Sequence, residues 1–168
     1  QEHCRTASFT NQFVATTSSG PKPTGKAPAN DTADGALLVK AGTRLSTQTG
    51  ATAAQPEVQV GETCPEGFGD QFGHTLWYKI TGTGAPVTID TAGSEFDTVI
   101  GVFQRDGADY TEQACNDDVI SQPVGSSFQA ALTFDTVAGH TYYIEVGGYQ
   151  PFFDLDHPEF GVLKMKVS

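Results

Sequence analysis

Apolar positions in this chain recur at every second residue over several short stretches, and almost nowhere at the spacing of a helix. Val87, Ile89 and Thr91 alternate with Thr88 and Asp90, the pattern of a strand with one face buried. Ala92-Gly93-Ser94-Glu95 breaks it with small, turn-prone residues. Thr98 to Phe103 then resumes as a β-branched run, so the unit reads as strand, tight turn, strand, a hairpin-like element around which the rest is arranged. Thr75 to Ile80 places Leu76, Tyr78 and Ile80 on one face and Trp77 on the other, where the indole is expected to pack as core. Further short strands are expected at Ala36 to Val39, Thr43 to Thr47, Glu57 to Val60, Ser127 to Phe134, Thr141 to Val146 and Gly161 to Val167, with Arg105 to Gln113 as an acidic loop. About eight or nine strands at this spacing predict an all-β, jelly-roll-like sandwich over residues 30–168, and no helix is required.

Residues 1–29 are different in kind. Ala7 to Thr17 is one possible strand, with Phe9, Phe13 and Val14 apolar enough to need cover. The following Ser/Gly/Pro/Lys stretch, with Pro21, Pro23 and Pro28, stays extended. This is an arm on a linker. The total of 168 residues suits one domain plus such an extension, and no apolar run approaches the roughly 18 residues of a membrane helix. The chain begins with Gln, which predicts a mature secreted protein after removal of a signal peptide, a recombinant chain trimmed of its tag being the alternative.

Charge narrows the partners. A formal net charge of -11 excludes a nucleic-acid binder of the usual kind, which needs clustered Lys and Arg. Arg5, Lys22 and Lys26 against Glu2 give residues 1–29 a charge of +2, leaving -13 on the body. That asymmetry favours contact between arm and body, within or between chains, although each exposed pair is weak. The plainer reading is a soluble acidic surface.

Little in the sequence suggests catalysis. His3, His74, His140 and His157 are scattered among turns, with no H-E-x-x-H pair and no G-x-S-x-G elbow, and Gly82-Thr83-Gly84 lies between strands, where it makes a turn. The expectation is a non-enzyme. Carboxylates are the better candidates, because Ca2+ takes six to eight hard oxygens gathered from turns. Asn116-Asp117-Asp118, with Asp97 nearby, is one such group; the competing reading is a turn whose Asn and Asp bond the backbone.

Three segments in order, TIDTAGSEFDTVIGVF (88–103), ACNDD (114–118) and AGHTYYIEVGGY (138–149), resemble the bacterial pre-peptidase C-terminal (PPC) domain, from roughly Pro28 to Ser168. That family is an extracellular β-sandwich without catalysis of its own, usually appended to secreted proteases. The resemblance implies a disulfide between Cys64 and Cys115, which stand where the family often carries a pair. Closing about 50 residues, it would contribute on the order of 4 kcal/mol and implies an oxidising compartment. Metal binding by these cysteines lacks a C-x-x-C or paired His spacing. Cys4 is left over, as a free thiol or an intermolecular bridge. The resemblance also implies a calcium site at Asn30-Asp31, with Asp70 as companion, although Lys26 and Ala27 stand where calcium-binding relatives carry glutamates.

Two functions follow. The favoured one is a structural protein of the cell surface that self-associates into an oligomer or filament, its N-terminal strand (Phe9, Phe13, Val14, with Cys4 at the contact) added to a neighbour's sheet edge and the fold stabilised by calcium. The alternative is an accessory domain of a secreted protease or other hydrolase. It would dock a protein or polysaccharide substrate through Tyr110, Tyr149, Phe152 and Phe153.

Overall fold

The computed structural model describes residues 26–50, 71–121, 125–150 and 158–168. The arm with Cys4, Phe9, Phe13 and Val14, the strand expected at Glu57 to Val60, Cys64, Asp70, Phe152 and Phe153 lie outside the described residues.

In chain order the strands are β1 (Leu37–Leu38), β2 (Arg44–Gln48), β3 (Gln71–Thr81), β4 (Val87–Asp90), β5 (Thr98–Asp106), β6 (Asp109–Asn116), β7 (Val119–Ser121), β8 (Gly125–Ser127), β9 (Ala131–Phe134), β10 (Thr141–Gln150) and β11 (Val162–Val167), with one 3-10 turn at Ala33–Gly35. One sheet has the order β1-β3-β10-β5-β6 and the other β2-β11-β4-β9, while β7 and β8 pair as a separate ribbon. Chain neighbours β2, β3, β4 and β5 alternate between the sheets, and β10 and β11 return to lie inside them. This is jelly-roll wiring, as the spacing of short strands predicts. Among the described residues only the pairing of β1 with β3 is parallel.

Period-two alternation builds the core. Leu76, Tyr78 and Ile80 of β3, Tyr142, Ile144 and Val146 of β10, and Ile100 and Val102 of β5 face Val87 and Ile89, Leu132 and Phe134, and Leu163, Met165 and Val167 of the other sheet, all buried in one cluster. The first sheet is also buried on its outer face. There Phe72, Trp77, Val99 and Phe103 join Ala33 and Ala36, with Tyr110, Cys115, Tyr143 and Tyr149 packed around them. Two buried faces explain why β5 reads as a continuous apolar run, buried from Thr98 to Phe103. Trp77 is core, its ring 6.0 Å from Phe103 and 5.6 Å from Tyr110.

Three expectations need correction. The hairpin-like unit is not a hairpin: β4 pairs with β11 and β9, β5 with β10 and β6, and the intervening link crosses from one sheet to the other. Buried hydroxyls hold this crossing. Thr91 Oγ1 lies 2.6 Å from Thr98 Oγ1 and donates to the Ala130 carbonyl, and Ser94 Oγ accepts the Lys164 amide at 2.9 Å. Arg105 to Gln113, expected as a loop, is strand on both sides of a turn at Gly107. Asp106 and Asp109 are exposed beside the turn and Glu112 is half-buried, and this charge, together with a register shift between Val102 and Phe103, hides the half-buried Tyr110 on the outer face and Ala114 on the inner one. His74 lies within β3 rather than in a turn, buried, with φ 53° and its ring 4.9 Å from that of Phe160.

Candidate functional site

The antiparallel register of β5 and β6 pairs Ile100 with Asn116, so the residue before β5 and those after β6 meet at one end of the sandwich. There Asp97, Asp117 and Asp118, all half-buried, each offer a carboxylate oxygen, and these oxygens lie within 4.8 Å of one another. The group can hold a metal ion. Among the described residues it is the one gathering of three or more such side chains.

Backbone contacts fix it from several sides. Asp97 is held through its main chain, its carbonyl accepting the Tyr149 amide at 2.9 Å and its amide donating to Glu159 Oε2 at 2.8 Å. Next to it, the Thr98 amide donates to the Phe128 carbonyl. Asn116 braces the other strand, its Nδ2 donating to the Asp118 carbonyl at 3.1 Å and its Oδ1 accepting the Ala131 amide at 3.0 Å. Of the residues in this acidic motif, Asn116 therefore takes the turn-forming role, while Asp97, Asp117 and Asp118 converge.

The electrostatics are unfavourable without a cation. Burial, then the charges of Asp117, Asp118 and Glu159, push the Asp97 carboxyl up to about 7. Asp97 Oδ1 and Asp118 Oδ1 are sealed from solvent and accept no hydrogen bond among the described residues. A buried carboxylate oxygen without a donor is costly, and a bound cation would satisfy it.

Of the second expected group, Asn30 and Asp31 are among the described residues. Asn30 is buried against β3, its carbonyl accepting the Trp77 amide at 2.8 Å and its Nδ2 donating to the Trp77 carbonyl at 3.1 Å. That grip anchors the start of the domain to the sheet. Asp31 is half-buried beside it.

No protein-family model matches the chain. No curated protein matches it either. Among solved structures the chain is similar to CorA, described as a surface-associated copper-binding protein important in copper acquisition by Methylomicrobium album BG8. The likeness covers 79% of this chain and 96% of that one, at 15% identity and a TM-score of 0.44. At that level the copper stays with that protein.

One feature of the acidic end escaped the sequence reading. Glu159 completes the acidic end from a loop 62 positions away from Asp97, and no local motif announces it. Cys115, by contrast, was singled out, and it lies half-buried on the outer face of the first sheet, opposite Gly101.

Proposed function

We propose that this chain is a non-catalytic extracellular β-sandwich module whose acidic end binds a divalent cation, Ca2+ by preference, and whose role is structural. The convergence of Asp97, Asp117 and Asp118 carries this reading. Three carboxylates supply up to six hard oxygens with no nitrogen or sulfur, a donor set suited to Ca2+, Mg2+ or Mn2+ rather than to copper. The absence of any nucleophile and base that motif logic pairs supports the non-catalytic part. At saturating Ca2+ the melting temperature is expected to rise by about 5–10 °C relative to EDTA, since an ion bound only to the native state stabilises it by mass action. Identical melts in Ca2+, Mg2+, Cu2+ and EDTA would remove the cation from the account.

Self-association through the arm is the finer part of the proposal. What supports it is an edge: among the described residues β1 is a two-residue edge strand with Leu37 50% and Leu38 71% exposed, the kind of border to which a donated strand adds. Phe9 and Phe13 of a neighbour would be the anchors, and a bridge between Cys64 and Cys115 would leave Cys4 for the contact. Deleting residues 1–17 is expected to leave a folded monomer by light scattering while the full chain assembles. Unchanged assembly, or a non-reducing peptide map without the Cys64–Cys115 link, would count against these parts separately. The second reading, an accessory domain of a secreted hydrolase, loses support at Tyr110 and Tyr149, which are half-buried against the outer cluster instead of forming an open aromatic face.

A further inference from the structure

On the outward face of the second sheet lies a groove of about 600 Å³ lined by Arg44, Ser46, Asp90, Ala92, Lys164 and Lys166, above Leu45 and Met165 of the same strands. The strand register creates it. Lys166 pairs with Arg44 on one side and Asp90 on the other, and Lys164 pairs with Ser46, so all of them rise from one face of adjacent strands. Strands lie about 5 Å apart and alternate residues about 7 Å apart, which brings three cations into an area no larger than the Debye length of about 8 Å at physiological salt. Three of the chain's nine Lys and Arg residues thus converge in a protein of net charge -11.

We propose that this groove binds an acidic polysaccharide through its carboxylate or sulfate groups. The one acid in the lining, Asp90, stands opposite Lys166 with its Oδ1 accepting the Ala92 amide at 2.8 Å, and three cations against this one carboxylate leave the groove net positive. Among the described residues no aromatic side chain lines the groove, so a nucleobase finds no ring to stack on. The volume is in the range of ligand sites, roughly 300–1,000 Å³, and exceeds what a lone small anion needs. A second copy is engaged, in the reading above, through the β1 edge of the other sheet. A thin polyanion reaches the groove while most of the protein's negative charge stays screened beyond the Debye length. The inference is independent of the cation reading.

The test is binding of the full chain to polygalacturonate and to dextran sulfate, with neutral dextran and poly(dT) as comparisons, in EDTA at near-physiological salt. The variant Arg44→Gln/Lys164→Gln/Lys166→Gln is expected to lose about tenfold in affinity, three contacts of exposed-pair strength. The charge-matched variant Lys26→Gln/Lys40→Gln/Lys79→Gln, whose cations lie outside the groove, is expected to bind as the parent does. The proposal is overturned if the parent binds neither polyanion, if both variants lose affinity equally, or if poly(dT) binds as well as the polysaccharides. It is overturned equally if the parent self-associates without polysaccharide and the groove variant does not, which would assign the groove to a second copy.

Discussion

Replacing Gly148 with alanine is expected to destabilise the protein by about 3 kcal/mol or more, the upper part of the overpacking range, and to take the acidic end apart. A Cβ at this position would fall 1.7 Å from the Glu159 carbonyl oxygen and 2.4 Å from its carbon. Both are backbone atoms, so no side-chain rotation relieves the clash. Gly148 sits in β10 where its register against β3 shifts, and the Glu159 amide donates to the neighbouring Tyr149 carbonyl at 3.0 Å. Displacing residue 159 would break that bond and the one from Asp97 N to Glu159 Oε2, each worth about 1 kcal/mol. Urea unfolding of the variant measures the loss. A change within about 0.5 kcal/mol, the size of an inert surface substitution, would mean that residue 159 is not seated on β10.

Asp97→Asn is expected to stabilise the metal-free protein at pH 8 by about 1–2 kcal/mol, a figure already reduced for solvent screening, and to weaken cation binding. The folded-state pKa of Asp97 lies at about 7, above the ordinary 3.8. Between those values the native state holds a proton that the unfolded chain has released. The stabilisation from keeping Asp97 neutral is therefore complete below about pH 4 and is lost as pH rises to about 7. Without metal, the parent should lose stability over that window relative to Asp97→Asn. With saturating Ca2+ the order should invert above pH 7, because the ion binds the carboxylate form that the amide cannot supply. Parallel pH profiles for parent and variant in EDTA would contradict this.

The sequence made the sandwich legible because its strands carry their information locally. Leu76, Tyr78 and Ile80, or Val87 and Ile89, announce a buried face by alternation alone, and the structure places them in the inter-sheet core. What alternation does not encode is the partner of each strand. The segment from Val87 to Phe103 reads as a hairpin because its turn is short, yet Thr91, Ser94 and Thr98 spend their hydroxyls tying β4 and β5 to different sheets. The Asp109–Asn116 strand was hidden by the exposed Asp109 and the half-buried Glu112, whose charges interrupt the apolar pattern of an edge strand.

The site was legible to the same extent. Asp97, Asp117 and Asp118 are recognisable as hard oxygen donors, and their meeting depends on an antiparallel register visible only after folding. Glu159 arrives through a loop contact with no motif, and Asn30 donates its Nδ2 to the Trp77 carbonyl, an anchoring contact that no sequence motif announces. The cationic groove went unnoticed for a related reason: Arg44 and Lys166 are far apart in sequence and become neighbours across two strands.

Proton release on calcium addition tests the central claim most directly, because it reads the ion and the Asp97 carboxyl together. With its pKa at about 7, Asp97 is half protonated at pH 7, so saturating Ca2+ should expel about half a proton per chain there and almost none at pH 9. The Asp97→Asn variant should release none from this position at either pH. Calcium that binds with no proton released at pH 7, or no calcium uptake at either pH, would contradict the account.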